Sequence, residues 1–280
     1  MRQLKAISLC LIGTAALAAC EKAGKDEVTR SKNVNVIDES NLNDIMLTSA
    51  DPNEAVRYFQ RTLGENPDRI DLQRGLAHSL VRAKRGTEGV VVWERVIANK
   101  NATHADQIGY ADALIRNGDW DRAEAVLDEI PPTIETLERY KLEAVIADSN
   151  KEWEKADSFY ETAIGLTTRP GGILNNWGYS KLTRGEYREA ERLFGEAITY
   201  DPSLFTAKNN MVLARAAQKN YSLPLIQVTQ VERAQLLHTM ALAAIKQGDT
   251  LTGKDLLEQA IEAHPQHFEA AVRSLKKLDS

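Results

Sequence analysis

The sequence predicts an all-α array of antiparallel helix pairs, stacked in register and closed by a capping helix. Three observations predict it. Ala55, Gly89, Ala123, Ala156 and Ala190 form one column, at steps of 34, 34, 33 and 34 residues. Four residues after each stands a large apolar side chain: Phe59, Trp93, Leu127, Tyr160 and Phe194. Twelve residues before the column another small residue recurs, as Ala77, Ala111, Ala144 and Gly178. Self-similarity at a fixed period marks a repeat architecture. Small residues on both helices of a pair let their backbones approach, and the large residue one turn on fills the space beside the contact. One pair cannot bury its apolar side alone, so each unit needs its neighbours.

The units fall near 36–68, 69–102, 103–136, 137–170 and 171–204, then an irregular stretch 205–228, a unit 229–265 and a cap 266–280. Turns within units read as Asn117-Gly118-Asp119, Arg184-Gly185-Glu186 and Gln247-Gly248-Asp249. Pro67, Pro131, Pro202 and Pro265 mark turns between units, because proline is tolerated at a helix start and breaks an interior. In the irregular stretch Tyr221 is in place but Pro224 occupies the small-residue column. The second helix there is expected to be short or displaced, with a new helix starting near Thr229. The pattern then resumes as Ala241, Gly253, Leu257 and Ala260, about five residues out of phase. Phe268, Ala271, Leu275 and Leu278 give the cap its apolar side.

Trp177-Gly178, Gly185, Tyr187, Ala190, Phe194, Ala197 and Pro202 together resemble the tetratricopeptide repeat, and the resemblance extends over residues 36 to 264. It is weaker in the first unit; Gly89 replaces the usual Ala, Thr62 stands where a small residue is usual, and the unit from Asn209 departs most. It implies a right-handed superhelical solenoid whose concave side is lined by the first helix of each unit. In that register the lining includes Arg74, His78, Arg82, Ile108, Asp112, Arg116, Lys141, Val145, Asn175, Tyr179, Asn209 and Leu213. Asn175 and Asn209 are 34 residues apart, so stacking sets one above the other. An Asn side chain offers a donor and an acceptor to an extended peptide backbone, or it simply caps or solvates the helix start. The arginines suit an acidic segment or a C-terminal carboxylate but form no recognisable clamp.

Before the array, Arg2 and Lys5 precede the uncharged run Ala6–Ala19, too short to cross a bilayer, which takes about 20 apolar residues. These are the features of an export signal. Leu17-Ala18-Ala19-Cys20 resembles the bacterial lipobox, which implies removal of residues 1–19, a lipidated Cys20 and a polar tether over 20–34. One acyl chain binds weakly, at about 0.8 kcal/mol per buried methylene, so stable anchoring takes two or more, as lipobox processing supplies. Glu21 rather than Asp follows the cysteine, which by enteric-type sorting rules favours the periplasmic face of the outer membrane. Loss of Cys10 with the signal leaves no thiol for a disulfide or a nucleophile. The chain carries 35 basic and 40 acidic residues; without Arg2 and Lys5 the balance is 33 to 40. A mildly acidic chain without a basic tract is a poor partner for nucleic acid.

Catalytic motifs are absent: no H-E-x-x-H, G-x-S-x-G, C-x-x-C or glycine-rich phosphate loop occurs. His264 and His267 flank Pro265 and share no regular helical face, and His78 and His238 fall inside helices, so no metal or cofactor is expected. Trp93, Trp120, Trp153 and Trp177 fall in packing columns and are expected in the core. The expectation is a binding protein rather than an enzyme.

Residues 231–249 and 256–270, together with Asn175-Asn176-Trp177-Gly178-Tyr179-Ser180, resemble tight-adherence (Tad, or Flp-type) pilus assembly lipoproteins. That resemblance implies a scaffold at the outer membrane. Its partners would be the pilus secretin, pilotin-like or accessory lipoproteins and other assembly subunits. Rival readings are an adaptor for outer-membrane β-barrel assembly or cell-wall enzymes, and an envelope hydrolase on a repeat scaffold.

Overall fold

The computed structural model describes residues 34–278, so Cys20, the signal and most of the tether lie outside the described residues. Among these residues it contains fourteen helices, with no strand. They fall into two compact units, divided along the chain between Lys84 and Arg85. The first unit holds α1 (Val34–Thr48), α2 (Pro52–Glu65) and α3 (Ile70–Arg82). In the second, α4 (Gly86–Ile97), α5 (His104–Asn117), α6 (Trp120–Asp128), α7 (Leu137–Ser149), α8 (Trp153–Gly165), α9 (Gly171–Thr183) and α10 (Tyr187–Tyr200) follow the repeat. After them come α11 (Phe205–Ala217), α12 (Gln230–Lys246), α13 (Thr250–Ala263) and α14 (Glu269–Leu278).

The columns read from the sequence are the packing seams. Ala55, Ala77, Ala111, Ala123, Ala144, Ala156 and Ala190 are all fully buried. So are Phe59 and Phe194, and Trp93, Leu127 and Tyr160 keep only 1% exposure each. Inside the first unit, a Cβ added to Gly75 on α3 would stand 2.3 Å from the Phe59 ring of α2. Inside the second, a Cβ on Gly178 would stand 2.7 Å from Phe194, and one on Gly109 2.6 Å from Trp93. The helices meet at distances only glycine permits there.

Helix starts are fixed locally. Asp51 Oδ1 accepts from the backbone amides of Asn53 and Glu54, at 3.0 and 3.1 Å, ahead of Pro52. Thr103 with Asp106, and Thr229 with Glu232, form reciprocal capping boxes on α5 and α12. Turns within units share one device. In the turn that follows each of α3, α5, α7, α9, α11 and α12 one residue is left-handed: Lys84, Gly118, Lys151, Gly185, Lys219 and Gly248, with φ from 58° to 85°. After Gly118, Lys151, Gly185, Lys219 and Gly248 the next residue's amide reaches back five positions to a carbonyl, as in Glu152 to Ala147 (2.8 Å) and Glu186 to Lys181 (2.9 Å). Glycine holds this conformation without strain, whereas a side chain costs about 1 kcal/mol or more. Lys151→Gly is therefore expected to raise, and Gly185→Ala to lower, the stability of the second unit by about 1 kcal/mol each, read from urea unfolding midpoints.

The irregular repeat departs further than expected. After α11 and the left-handed Lys219 there is no second helix at all; residues 220–229 form a non-helical strap up to the cap of α12. Pro224 explains this, since inside a helix it would remove a hydrogen bond and clash with the preceding turn. Arg215 fastens the strap, donating from Nε to the Ser222 carbonyl (3.1 Å) and from its guanidinium to Ser222 Oγ (2.9 Å). Tyr221, Leu223 and Val228 pack on the core formed by Val212, Leu236 and Met240. A strap thus stands in for a helix, and the array resumes at Gln230, about five residues out of phase.

Candidate functional site

The second unit carries a cleft of about 790 Å³ built mainly from α7, α9 and α11. Val145 and Asp148 of α7, Asn175 and Tyr179 of α9, and Phe205 and Asn209 of α11 face it, because first helices of successive units present the same register there. Trp120 and Trp153, the first residues of α6 and α8, close its rim.

Its polar groups are partly engaged. Asn210 Nδ2 donates to Asn175 Oδ1 at 3.0 Å, and Thr239 Oγ1 donates to Asn209 Oδ1 at 2.8 Å. Asn175 thus bonds to the neighbour of the residue expected to stack on it. Each of the two acceptors is taken, and the Nδ2 groups of Asn175 and Asn209 have no partner among the described residues. On the floor, Asp148 accepts from Tyr160 Oη at 2.8 Å and from Ser180 Oγ at 2.5 Å. Burial first, then the Asp148 carboxylate, push the Tyr160 phenol well above its ordinary pKa, so it remains a donor.

Behind α9 a charged cluster holds the wall. Asp157 of α8 accepts from Trp177 Nε1 (2.6 Å), Lys181 Nζ (2.8 Å) and the Arg184 guanidinium. Burial opposes ionisation of Asp157, but the bonds from Arg184, Lys181 and Trp177 outweigh it and hold the pKa below the usual carboxylate range. Arg184 also lies over the Trp153 ring, 5.2 Å from its centroid, and Trp177 stacks on Tyr160 at 6.1 Å.

Of the groove residues expected from register, Val145, Asn175, Tyr179 and Asn209 meet in this cleft. Asp112 and Arg116 pair with each other at 2.8 Å on α5, Ile108 is buried, and Lys141 and Leu213 are half-buried on α7 and α11. Arg74, His78 and Arg82 belong to the first unit. There Arg82 donates to the carbonyls of Met46 (3.1 Å), Leu47 (2.5 Å) and Ala50 (3.0 Å), which ties down the C-terminal end of α1. That bonding leaves its guanidinium little to offer a ligand.

The tryptophans divide. Trp93 is core and Trp177 packs against Tyr160, but Trp120 and Trp153 are half-buried and line the cleft, a correction to their expected place in the core. A signal existed: with Tyr187 they form their own column, at steps of 33 and 34, at the start of each second helix. His238 of α12 meets Ser274 Oγ at 3.2 Å and the Phe268 ring at 5.4 Å, and burial lowers its pKa. His264 stacks on Phe268 and His267 contacts Glu269, and no group of three His, Cys, Asp or Glu residues among the described residues could hold a metal ion.

Residues 236–267 match the tetratricopeptide repeat family model. The repeated helix pairs among the described residues, with that match, settle the architecture. The fold is the tetratricopeptide-repeat solenoid. Solved structures share it at low identity. The APC/C hetero-tetramer Cut9-Hcn1 aligns over 90% of this chain with a TM-score of 0.60 and 12% identity. This chain spans 50% of that one's length. A tetratricopeptide repeat protein from Parabacteroides merdae aligns over 88% of this chain and 98% of its own, with a TM-score of 0.56 and 13% identity. A thermophilic one from Thermus thermophilus aligns over 58% and 90%, with a TM-score of 0.52 and 16% identity. A comparison with curated proteins finds no match. At such identities the tetratricopeptide likeness speaks for the fold alone.

Proposed function

We propose that this protein is a non-catalytic, lipid-anchored scaffold on the periplasmic face of the bacterial outer membrane. Its cleft binds an extended segment of the Tad (Flp-type) pilus assembly and secretion machinery, the secretin or a partner lipoprotein. The observation that carries the binding reading is the cleft with two unengaged Asn Nδ2 donors, on Asn175 and Asn209, flanked by aromatic rings. A donor pair of this kind suits the carbonyls of an extended backbone, and rings supply contact area at low entropic cost. Support for the location is the lipobox ending in Cys20, and support for the partner is the pilus-lipoprotein likeness of residues 231–270. No helix among the described residues is long and apolar enough to cross a membrane, so lipid would be the attachment. Tethering raises the effective concentration of neighbours, and modest affinity per contact then suffices.

Affinity capture from detergent-solubilised membranes tests this. The wild-type chain is expected to recover secretin-system proteins. Each lost hydrogen bond is worth about 0.5–1.5 kcal/mol, so Asn175→Ala with Asn209→Ala is expected to cut recovery on the order of tenfold. Cys20→Ser is expected to release the protein from the membrane. Capture of unrelated proteins alone would overturn the partner, and undiminished capture by the double variant would overturn the site.

A further inference from the structure

The proposed binding cleft has an unbalanced charge. Asp148 is the one charged side chain among the described residues that line it. Elsewhere in the same unit, four half-buried carboxylates are each given a cation. Arg139 meets Glu143 at 2.8 Å, Lys181 meets Asp157 at 2.8 Å, Arg215 meets Glu191 at 2.6 Å and Lys208 meets Glu232 at 3.0 Å. Asp148 has only the neutral hydroxyls of Tyr160 and Ser180, and no Lys or Arg pairs with it among the described residues. A carboxylate has about four acceptor positions, so one bond to each oxygen leaves room for further donors. Those two hydroxyls also hold the carboxylate in one orientation at the cleft floor.

Around it stand Trp120, Trp153, Tyr179 and Phe205, whose rings suit the methylene stem of a long basic side chain and whose π-faces favour its charge. Arg184 beneath Trp153 does not repel such a guest strongly, because Asp157 and Glu186 neutralise it. An acidic side chain or a C-terminal carboxylate would instead meet Asp148 with like charge.

We propose that this cleft contains a subsite for a lysine or arginine side chain of the extended polypeptide it binds, with Asp148 as counter-charge and the tryptophan-rich rim as its walls. The subsite rests on the cleft being a peptide groove. The test uses the full chain and fluorescent, N-acetylated, C-amidated hexapeptides of Ala and Asn carrying Lys, norleucine or Glu at the third position. Norleucine keeps most of the stem and removes the charge. The Lys peptide is expected to bind on the order of tenfold more tightly than the norleucine one, with Glu weakest. Asp148→Asn is expected to erase the difference between Lys and norleucine. Trp120→Leu, which leaves both hydroxyl bonds to Asp148 in place, is expected to reduce it. Equal binding of all three peptides overturns the subsite while leaving the groove standing. Binding of none overturns the groove, and the subsite with it.

Discussion

Replacing Glu232 by alanine is expected to destabilise the C-terminal repeats by about 3–5 kcal/mol, the usual effect of stranding a buried charge. Glu232 does two jobs. One carboxylate oxygen accepts from the Thr229 backbone amide at 2.8 Å, closing the capping box that starts α12. The other meets Lys208 Nζ of α11 at 3.0 Å, and the Lys208 side chain is only 4% exposed. In an ordinary repeat a second helix would join α11 to the next unit. Here the strap takes its place, so this ion pair and the apolar contacts of Val212 with Leu236 and Met240 hold α12 on α11. Alanine leaves the Lys208 ammonium buried and unpaired and uncaps α12 as well, a loss of about 1 kcal/mol by itself. Glu232→Gln separates the effects, since its carbonyl can still accept from Thr229 while the charge is gone. Native-state hydrogen exchange is the measurement. Protection in α12–α14 is expected to fall well before that in α9 and α10, and Glu232→Gln is expected to recover only the capping share. Equal loss across α9–α14 would show that the strap region is not a weak joint.

The sequence period carried the array because small and large residues facing each other at fixed steps leave few other ways to bury Trp93, Tyr160 and Phe194. Pro224 likewise announced the break, as a residue that cannot sit inside a helix. Features that depend on where a chain end or helix start points were not legible. Lys84, Lys151 and Lys219 occupy left-handed turn positions that glycine rules would assign only at Gly118, Gly185 and Gly248. Their strain is offset by turn hydrogen bonds that residue type does not reveal. Trp120 and Trp153 read as core because their size and spacing fit packing, yet the first residue of a second helix stands at the cleft rim. Asn175 and Asn209 were legible as cleft residues, but their bonding to Asn210 and Thr239 depends on side-chain direction. Asp148 gave no sign at all. A carboxylate near a helix end is ordinary in sequence, and only its place as the one charged group lining the cleft sets it apart.

Asp157→Ala is expected to cost about 2–3 kcal/mol, less than for a fully buried pair because the Asp157 side chain keeps 28% exposure. The loss comes from the groups left behind: Arg184 and Lys181, 7% and 11% exposed, would keep Glu186 but lose their better-placed carboxylate. Trp177 Nε1 would lose its acceptor too. Since Trp177 stacks on Tyr160 and Arg184 lies over Trp153, the substitution is also expected to loosen the cleft wall. The pH dependence has a definite sign. A carboxyl whose folded pKa is depressed contributes stability that is present above its unfolded value, about 3.9, and is lost as pH falls through the folded value. The urea midpoints of wild type and Asp157→Asn should therefore differ most near neutral pH and converge on acidification below about pH 4. A gap that stayed constant from pH 7 to pH 3 would mean that Asp157 acts through shape and hydrogen bonding, with its charge contributing nothing to the wall.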